Sequence, residues 1–308
     1  MGGCCGTTPE YIRGIAEKLG TVVECPRSGC IETTVFFSMR KYFSLLLLIC
    51  LLFISCAGVP RQQELDTASY VPEAFDWEEV CPGVARFDFE NADVPLIYHA
   101  VKIDLSYVDV GVGQNETLEL TCSRGERTSE FAARENCVAA VNATPFDKTG
   151  ELVGLCREAG REISAPVERY AALALRYGDD GAGLDGRIFA TQVDGALEYF
   201  DYAFGGFFVV LEEGEVNTEF VRRYTSRTGA GLSADGKTLY LLVVEGEQPR
   251  KSIGLSYPQC GEIFLAMGCR NALEFDGGGS SDLCINGQSV MNYRVRRVQG
   301  KSFGFRVK

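Results

Sequence analysis

The chain has 308 residues, 46% of them hydrophobic and 23% charged, with a formal net charge of −12. That length leaves room for one or two domains around an ordinary globular core. The acidic balance excludes nonspecific nucleic-acid binding, which needs a cationic surface.

Residues 1–38 read as a mis-called start or a disordered extension, because a targeting signal begins only at Met39. Arg40 and Lys41 give it a positive start, and an apolar run follows from Tyr42 to Ile54. The run has the length of a signal-peptide core and is short for a membrane span. Residues 39–55 are therefore expected to be a signal peptide, with an uncleaved anchor helix as the alternative. Ser55-Cys56-Ala57-Gly58 resembles a bacterial lipobox, which implies cleavage before Cys56 and lipid attached to its sulfur. The expected location is the bacterial cell envelope, as a membrane-anchored lipoprotein on the exported side. Residues 56–75 then read as a polar tether.

Of the 13 cysteines, Cys81, Cys122, Cys137, Cys156, Cys260, Cys269 and Cys284 fall in the exported body. Disulfides are permitted outside the cytoplasm, but an odd number leaves at least one thiol over, and the connectivity is open. None of these pairs has the Cys-x-x-Cys spacing of a zinc or redox site.

Residues 76–136 are expected to be N-terminal strands or a subdomain. Val101, Ile103 and Leu105 alternate with Lys102 and Asp104, the period of a half-buried strand, and Leu118 to Cys122 continues the sheet. Thr128 or Ser129 caps a short helix through Asn136, with Phe131 facing inward. Cys137 to Asn142 returns as a strand. Gly206 to Leu211 is apolar and breaks at Glu213-Gly214. Asp235-Gly236 signals a hairpin, followed by a strong strand from Thr238 to Val244. Ser256 and Gln259 are spaced as a capping box. They open a helix with Cys260, Ile263, Phe264 and Met267 on one face, stopped by Gly268. Ala272 to Phe275 reads as a strand delivering Asp276 to Gly277-Gly278-Gly279-Ser280-Ser281, and Asn286-Gly287 is a favoured hairpin turn. The fold class is α+β (mixed α/β), a hairpin-rich sheet with a few packed helices.

Four segments line up in chain order: Val141 to Asp147, Ala203 to Gly206, Arg223 to Gly229, and the Asp276 loop. The series resembles the phosphodiester glycosidase family over residues 137–308. The family pattern has an Asn-Gly-Gly-like strand end, matched here by Asn142 with Ala143-Thr144. It has an Arg-Thr-Ala-x-Gly-like segment, matched by Arg227-Thr228-Gly229-Ala230-Gly231. Its Asp-Gly-Arg is replaced by Glu245-Gly246-Glu247. Its Asp-Gly-Gly-Gly-Ser-Ser is matched from Asp276 to Ser281 without change. Any one motif is modest evidence; it is their order that identifies the family.

The resemblance implies cleavage between a sugar anomeric carbon and a phosphodiester oxygen. A leaving phosphate is already a stable anion. Such a site must instead stabilise an oxocarbenium-like centre, a task for carboxylates, and hold phosphate charge, a task for guanidinium groups. Asp276 and Glu245 are the expected catalytic acids. Arg227 and Arg223 are expected to grip phosphate, and Asn142 to orient substrate. Gly277, Gly278 and Gly279 admit substrate to the backbone, and Ser280 or Ser281 donates hydrogen bonds. Each has a plainer reading as a turn former, loop brace or surface charge.

No cofactor is demanded, although Asp147 and Asp276 are oxygen ligands of the kind that suit calcium or magnesium. His99 lies in a strand outside the motifs and reads as packed, which weighs against a Ser-His-Asp hydrolase. The expected function is an envelope-anchored hydrolase acting on sugar-phosphodiester glycans or glycolipids. The alternative is a non-catalytic carbohydrate- or envelope-binding lipoprotein on the same fold. No protein partner is implied.

Overall fold

Alternating sequence becomes antiparallel sheet almost throughout. The computed structural model describes residues 65–111, 125–178, 181, 183–220 and 223–308. The expected signal peptide, Cys56 and the strand at 118–122 lie outside them. The first strands are β1 (Glu78–Cys81), β2 (Val84–Asn91), β3 (Leu96–Asp104) and β4 (Val108–Gly111). Helix α1 (Thr128–Arg134) leads into β5 (Ala139–Asn142). Then come β6 (Cys156–Glu158), β7 (Arg161–Ser164), β8 (Ala172–Tyr177), β9 (Leu184–Phe189) and β10 (Tyr202–Gly205). They are followed by β11 (Val209–Glu212), β12 (Glu215–Val216), β13 (Arg227–Leu232) and β14 (Thr238–Val244). Helix α2 (Tyr257–Met267) precedes β15 (Asn271–Glu274), β16 (Leu283–Ile285), β17 (Gln288–Ser289) and β18 (Ser302–Val307).

The strands form three sheets. An eight-stranded sheet runs β1-β2-β3-β14-β13-β15-β11-β12, and two five-stranded sheets run β7-β6-β10-β8-β9 and β17-β16-β5-β18-β4. The fold is thus dominated by sheet, with two α-helices among the described residues. The N-terminal strands are part of the same architecture: β1 to β3 extend the large sheet and β4 pairs with β18.

Alternation along each strand sorts side chains into two cores. On one face of the large sheet, Val101, Ile103, Ala230, Leu241, Val243, Leu273 and Phe275 meet both five-stranded sheets through Val141, Leu283, Phe303, Leu173 and Phe204. On the other face, Tyr98, Ala100, Leu242 and Ala272 meet Cys260, Ile263, Phe264 and Met267 of α2. Ser256 caps α2 with Gln259 in a capping box, and Gly268 ends it at φ 97°. Two glycines in β13 let the helix approach. A Cβ on Gly231 would stand 2.7 Å from Phe264, and one on Gly229 3.0 Å.

The tether expected for 56–75 gives way to packed chain from Leu65 onward. Tyr70 is buried, donates its hydroxyl to Glu262, and accepts at its carbonyl from the Tyr98 hydroxyl at 3.0 Å. Leu65, Val71 and Phe75 pack against the α2 core. Cys137, Cys260, Cys269 and Cys284 are buried, unlinked thiols.

Candidate functional site

Antiparallel register places the start of β13 and the ends of β14 and β15 together: Arg227 pairs with Val244, and Gly229 with Glu274. Beyond β15 the chain leaves the large sheet, turns through the glycines and enters β16 of a five-stranded sheet. The Asp276 loop is therefore a crossover between two sheets.

Asn142, at the end of β5, fixes both ends of this crossover. Its Nδ2 donates to the Asp276 carbonyl at 2.6 Å. Its Oδ1 accepts from the Asp282 N–H at 3.0 Å and from the Thr228 hydroxyl at 2.9 Å. Asn142 is 1% exposed and braces the loop from beneath. The three bonds of its amide all go to protein, where substrate orientation was expected of it.

Within the loop, Gly278 takes φ +61°, where a side chain would be strained, and its N–H donates to Ser226 O at 2.9 Å. Gly277 comes so close to Ser226 that a Cβ would lie 2.9 Å from its carbonyl oxygen. These contacts hold Asp276 half-buried. Burial pushes its carboxyl up, opposed by the nearby Ser280 hydroxyl, the Arg297 guanidinium and the Gly277 N–H. Ser280 and Ser281 are fully buried, and neither hydroxyl makes a hydrogen bond of normal geometry.

Arg297 is the cation of the site. Its Nη1 would be 3.8 Å from a Cβ on Gly279, and its guanidinium lies 5.1 Å from the Phe146 ring centroid. Arg227 is not beside Asp276. It lies on the α2 face, 7% exposed, with Nε donating to Leu255 O at 2.9 Å and Nη2 to Arg223 O at 2.7 Å. Its guanidinium carbon is 3.9 Å from the Tyr257 ring centroid. The physical reason is strand alternation: Thr228 points toward Asn142, so Arg227 points the other way. Beneath it Glu274 is fully buried, and burial pushes its carboxyl up to about 8 despite Arg227. Arg223 is exposed, and its carbonyl is what Arg227 uses.

Glu245, expected as a second catalytic acid, follows β14 and is 0% exposed. Its Oε1 lies 3.1 Å from His99 Nε2 and accepts from Asn292 N–H at 2.6 Å. His99 is packed, 5% exposed, yet its Nδ1 also meets Asp88 Oδ1 at 2.6 Å. The second exposed carboxylate near the loop is Glu247. It accepts from the Thr225 hydroxyl at 2.8 Å, and its Oε1 would be 3.5 Å from a Cβ on Gly278.

Sequence reasoning missed Arg297, Tyr293 and Asp282. Tyr293 is pushed up to about 12 by burial, is hydrogen-bonded to Ser226, and stands near Glu245, Asp282 and Glu247. Asp282 is fully buried and pushed up to about 6 by burial, against a hydrogen bond of 2.6 Å from the Ser289 hydroxyl. Asp282 directly follows the Ser-Ser of the loop motif, which was a usable signal. Arg297 sits in the run Arg294-Val295-Arg296-Arg297-Val298 with no motif around it. A polar groove of about 620 Å³ is lined by Arg127, Ser289, Asn292, Tyr293 and Arg294 and takes in neither Asp276 nor Arg297. A cleft of about 570 Å³ bearing Arg187, Tyr199 and Lys237 also takes in the β13–β14 turn, at the other end of those strands.

Asp147 is an exposed turn residue whose Oδ1 accepts from Thr149 and Glu151. Among the described residues, no three His, Cys, Asp or Glu are placed to hold a metal ion.

Known proteins share this fold. The catalytic domain of zebrafish N-acetylglucosamine-1-phosphodiester alpha-N-acetylglucosaminidase, auto-inhibited by its pro-peptide, superposes with a TM-score of 0.55 at 20% identity, over 79% of this chain and 87% of that one. A hypothetical protein from Synechocystis gives 0.59 at 14% identity, over 76% and 64%. A putative exported protein from Burkholderia pseudomallei K96243 gives 0.51 at 15% identity, over 68% and 74%. These likenesses establish the fold. In sequence, the uncharacterized SPbeta prophage-derived protein YomE of Bacillus subtilis (strain 168) is 29% identical over 183 residues, 54% of this chain. The chain spans about a quarter of that relative's length, 27%. The phosphodiester glycosidase family model matches residues 135–303, from the end of α1 into β18 and across the whole Asp276 crossover, and the chain belongs to that family.

Proposed function

We propose that the protein is a hydrolase that cleaves the glycosidic bond of sugar-1-phosphodiesters in glycans or glycolipids, held at the cell envelope by lipid on Cys56. The observation that carries the reading is the half-buried Asp276 carboxylate set beside the Arg297 guanidinium on a loop of three glycines. The departing phosphate is a stable anion and needs charge neutralisation more than protonation. Arg297 supplies that charge in a geometry matched to phosphate oxygens. Asp276 stands at the anomeric carbon as base, nucleophile or electrostatic stabiliser, where positive charge develops. Gly278 and Gly279 leave the backbone open to the sugar, and Glu247 is the second carboxylate facing it.

The test is turnover of a chromogenic sugar-1-phosphodiester. Wild-type protein should release the chromophore, and Asp276→Asn should not, while melting normally. Turnover retained by Asp276→Asn removes that carboxylate from the mechanism. Glu247, standing where the family carries a basic residue, favours a second reading as a carbohydrate binder without turnover. Calorimetric binding of the phosphodiester by a catalytically silent wild type supports that reading. Anchoring is tested separately: fatty-acid labelling of the expressed precursor should vanish in Cys56→Ala.

A further inference from the structure

Both ring nitrogens of His99 meet carboxylates: Nδ1 meets Asp88 Oδ1 at 2.6 Å, and Nε2 meets Glu245 Oε1 at 3.1 Å. A neutral imidazole has one N–H, so serving two carboxylate acceptors needs the imidazolium. The charged groups around it come from two neighbouring strands. Asp88 faces it from β2, with Arg86 4.0 Å from the other Asp88 oxygen, and Glu245 faces it from the end of β14. Past Glu245 stands Tyr293, with Asp282 and Glu247 near its hydroxyl. Burial pushes the His99 pKa down, but the bonds to Asp88 and Glu245 outweigh it and hold it above the ordinary value.

Glu245 is more than a counter-ion. The same Oε1 that meets His99 accepts the Asn292 N–H at 2.6 Å. Asn292 begins the irregular segment that carries Tyr293 and, at its far end, Arg297 beside Asp276. The opposite end of the segment is fixed by Gln299, whose Nε2 donates to Ser280 O at 2.9 Å. The segment is thus pinned at both ends, once to the glycine loop and once to Glu245.

Resting on the hydrolase reading, we propose that His99 is a positioning residue: as an imidazolium between Asp88 and Glu245 it holds the Glu245 carboxylate in place, and Glu245 in turn fastens the 292–297 segment that presents Arg297 to the phosphate. Loss of the His99 proton leaves one N–H for two carboxylates. Glu245 then loosens, and phosphodiester affinity falls while the Asp276 chemistry stays intact.

His99 is the one histidine of the chain, so its ring resonances can be titrated by NMR without assignment ambiguity. The His99 pKa should lie above the ordinary value, fall in Asp88→Asn and in Glu245→Gln, and coincide with the pH at which KM for a sugar-1-phosphodiester begins to rise. Asp88 is half-exposed, so Asp88→Asn should fold. It should move the KM limb to lower pH, by the same interval as the NMR titration, with kcat changed less than twofold. His99→Asn should raise KM about tenfold and remove the limb.

A His99 that titrates at its ordinary pKa, or pH profiles in Asp88→Asn and His99→Asn that superimpose on wild type, overturns the proposal while leaving an active hydrolase. Suppose instead that the wild type is silent on sugar phosphodiesters, but calorimetric affinity for a non-hydrolysable sugar phosphonate still follows the His99 titration. The hydrolase reading then falls and the positioning role stands.

Discussion

Two carboxyl groups, Glu274 and Asp276, lie two residues apart at one strand end, each near a different guanidinium. Glu274 and Arg227 point into the α2 core, where Arg227 is saturated by two carbonyls and the Tyr257 ring. Asp276 sits on the crossover loop, whose Gly279 is exposed, and Arg297 reaches that loop from the 292–299 segment. The residue types are alike and the chemistry is not. A carboxyl and a guanidinium closed in by packing are architecture, and removing one side chain leaves its buried hydrogen-bond partners unsatisfied. A carboxylate and a guanidinium beside open backbone are available to a ligand.

The comparison can be broken most severely at Asp276. Asp276→Asn should lower turnover by about 10³-fold, with a thermal midpoint matching wild type; an equal loss of stability would make both pairs architectural. Arg227→Met should do the reverse, costing about 2–3 kcal/mol in chemical denaturation because the Leu255 and Arg223 carbonyls lose their donor, while leaving turnover per folded molecule unchanged. Adding Glu274→Gln to it should recover part of that loss, because the two side chains are coupled.

Glu274→Gln alone sharpens the contrast through pH. Its folded-state carboxyl is raised from 4.5 to about 8, so the native state keeps a proton that the unfolded chain has released. Wild-type stability therefore falls as pH rises through that window, and the Gln variant should show a flatter profile of melting temperature against pH. The smallest effect is expected for Arg297→Gln, with KM for a phosphodiester raised about tenfold, the loss of one charge-assisted contact, and no change in melting.

Much of the site was legible in the sequence because the Asp276 motif is contiguous. Its strand, glycines and hairpin turn at Asn286-Gly287 are local features with local signatures. The capping box at Ser256 and the Asp235-Gly236 turn were legible for the same reason. Which side chain faces which was not legible. Asn142, Arg227 and Glu245 belong to motifs but point into protein, and their facing depends on strand phase relative to neighbours 28 to 146 positions away. The alternation of Val101, Ile103 and Leu105, carried back to Ile97 and His99, does put the histidine on the inward face. A buried histidine there needs partners, and that was the overlooked clue to Asp88 and Glu245. The sheet from β6 to β10 has short strands broken by Gly and Asp, and its pairing becomes visible only in three dimensions.

One amide, that of Asn142, ties the crossover at both ends and reaches Thr228 in the large sheet as well. Loop placement and sheet-to-sheet docking consequently draw on the same side chain. Replacing it with Ala should cost about 3 kcal/mol, because it orphans partners on three segments at once. Warming the wild type should extinguish ligand affinity and the near-ultraviolet aromatic signal at one common temperature, because the loop and the sheet junction are held by the same amide.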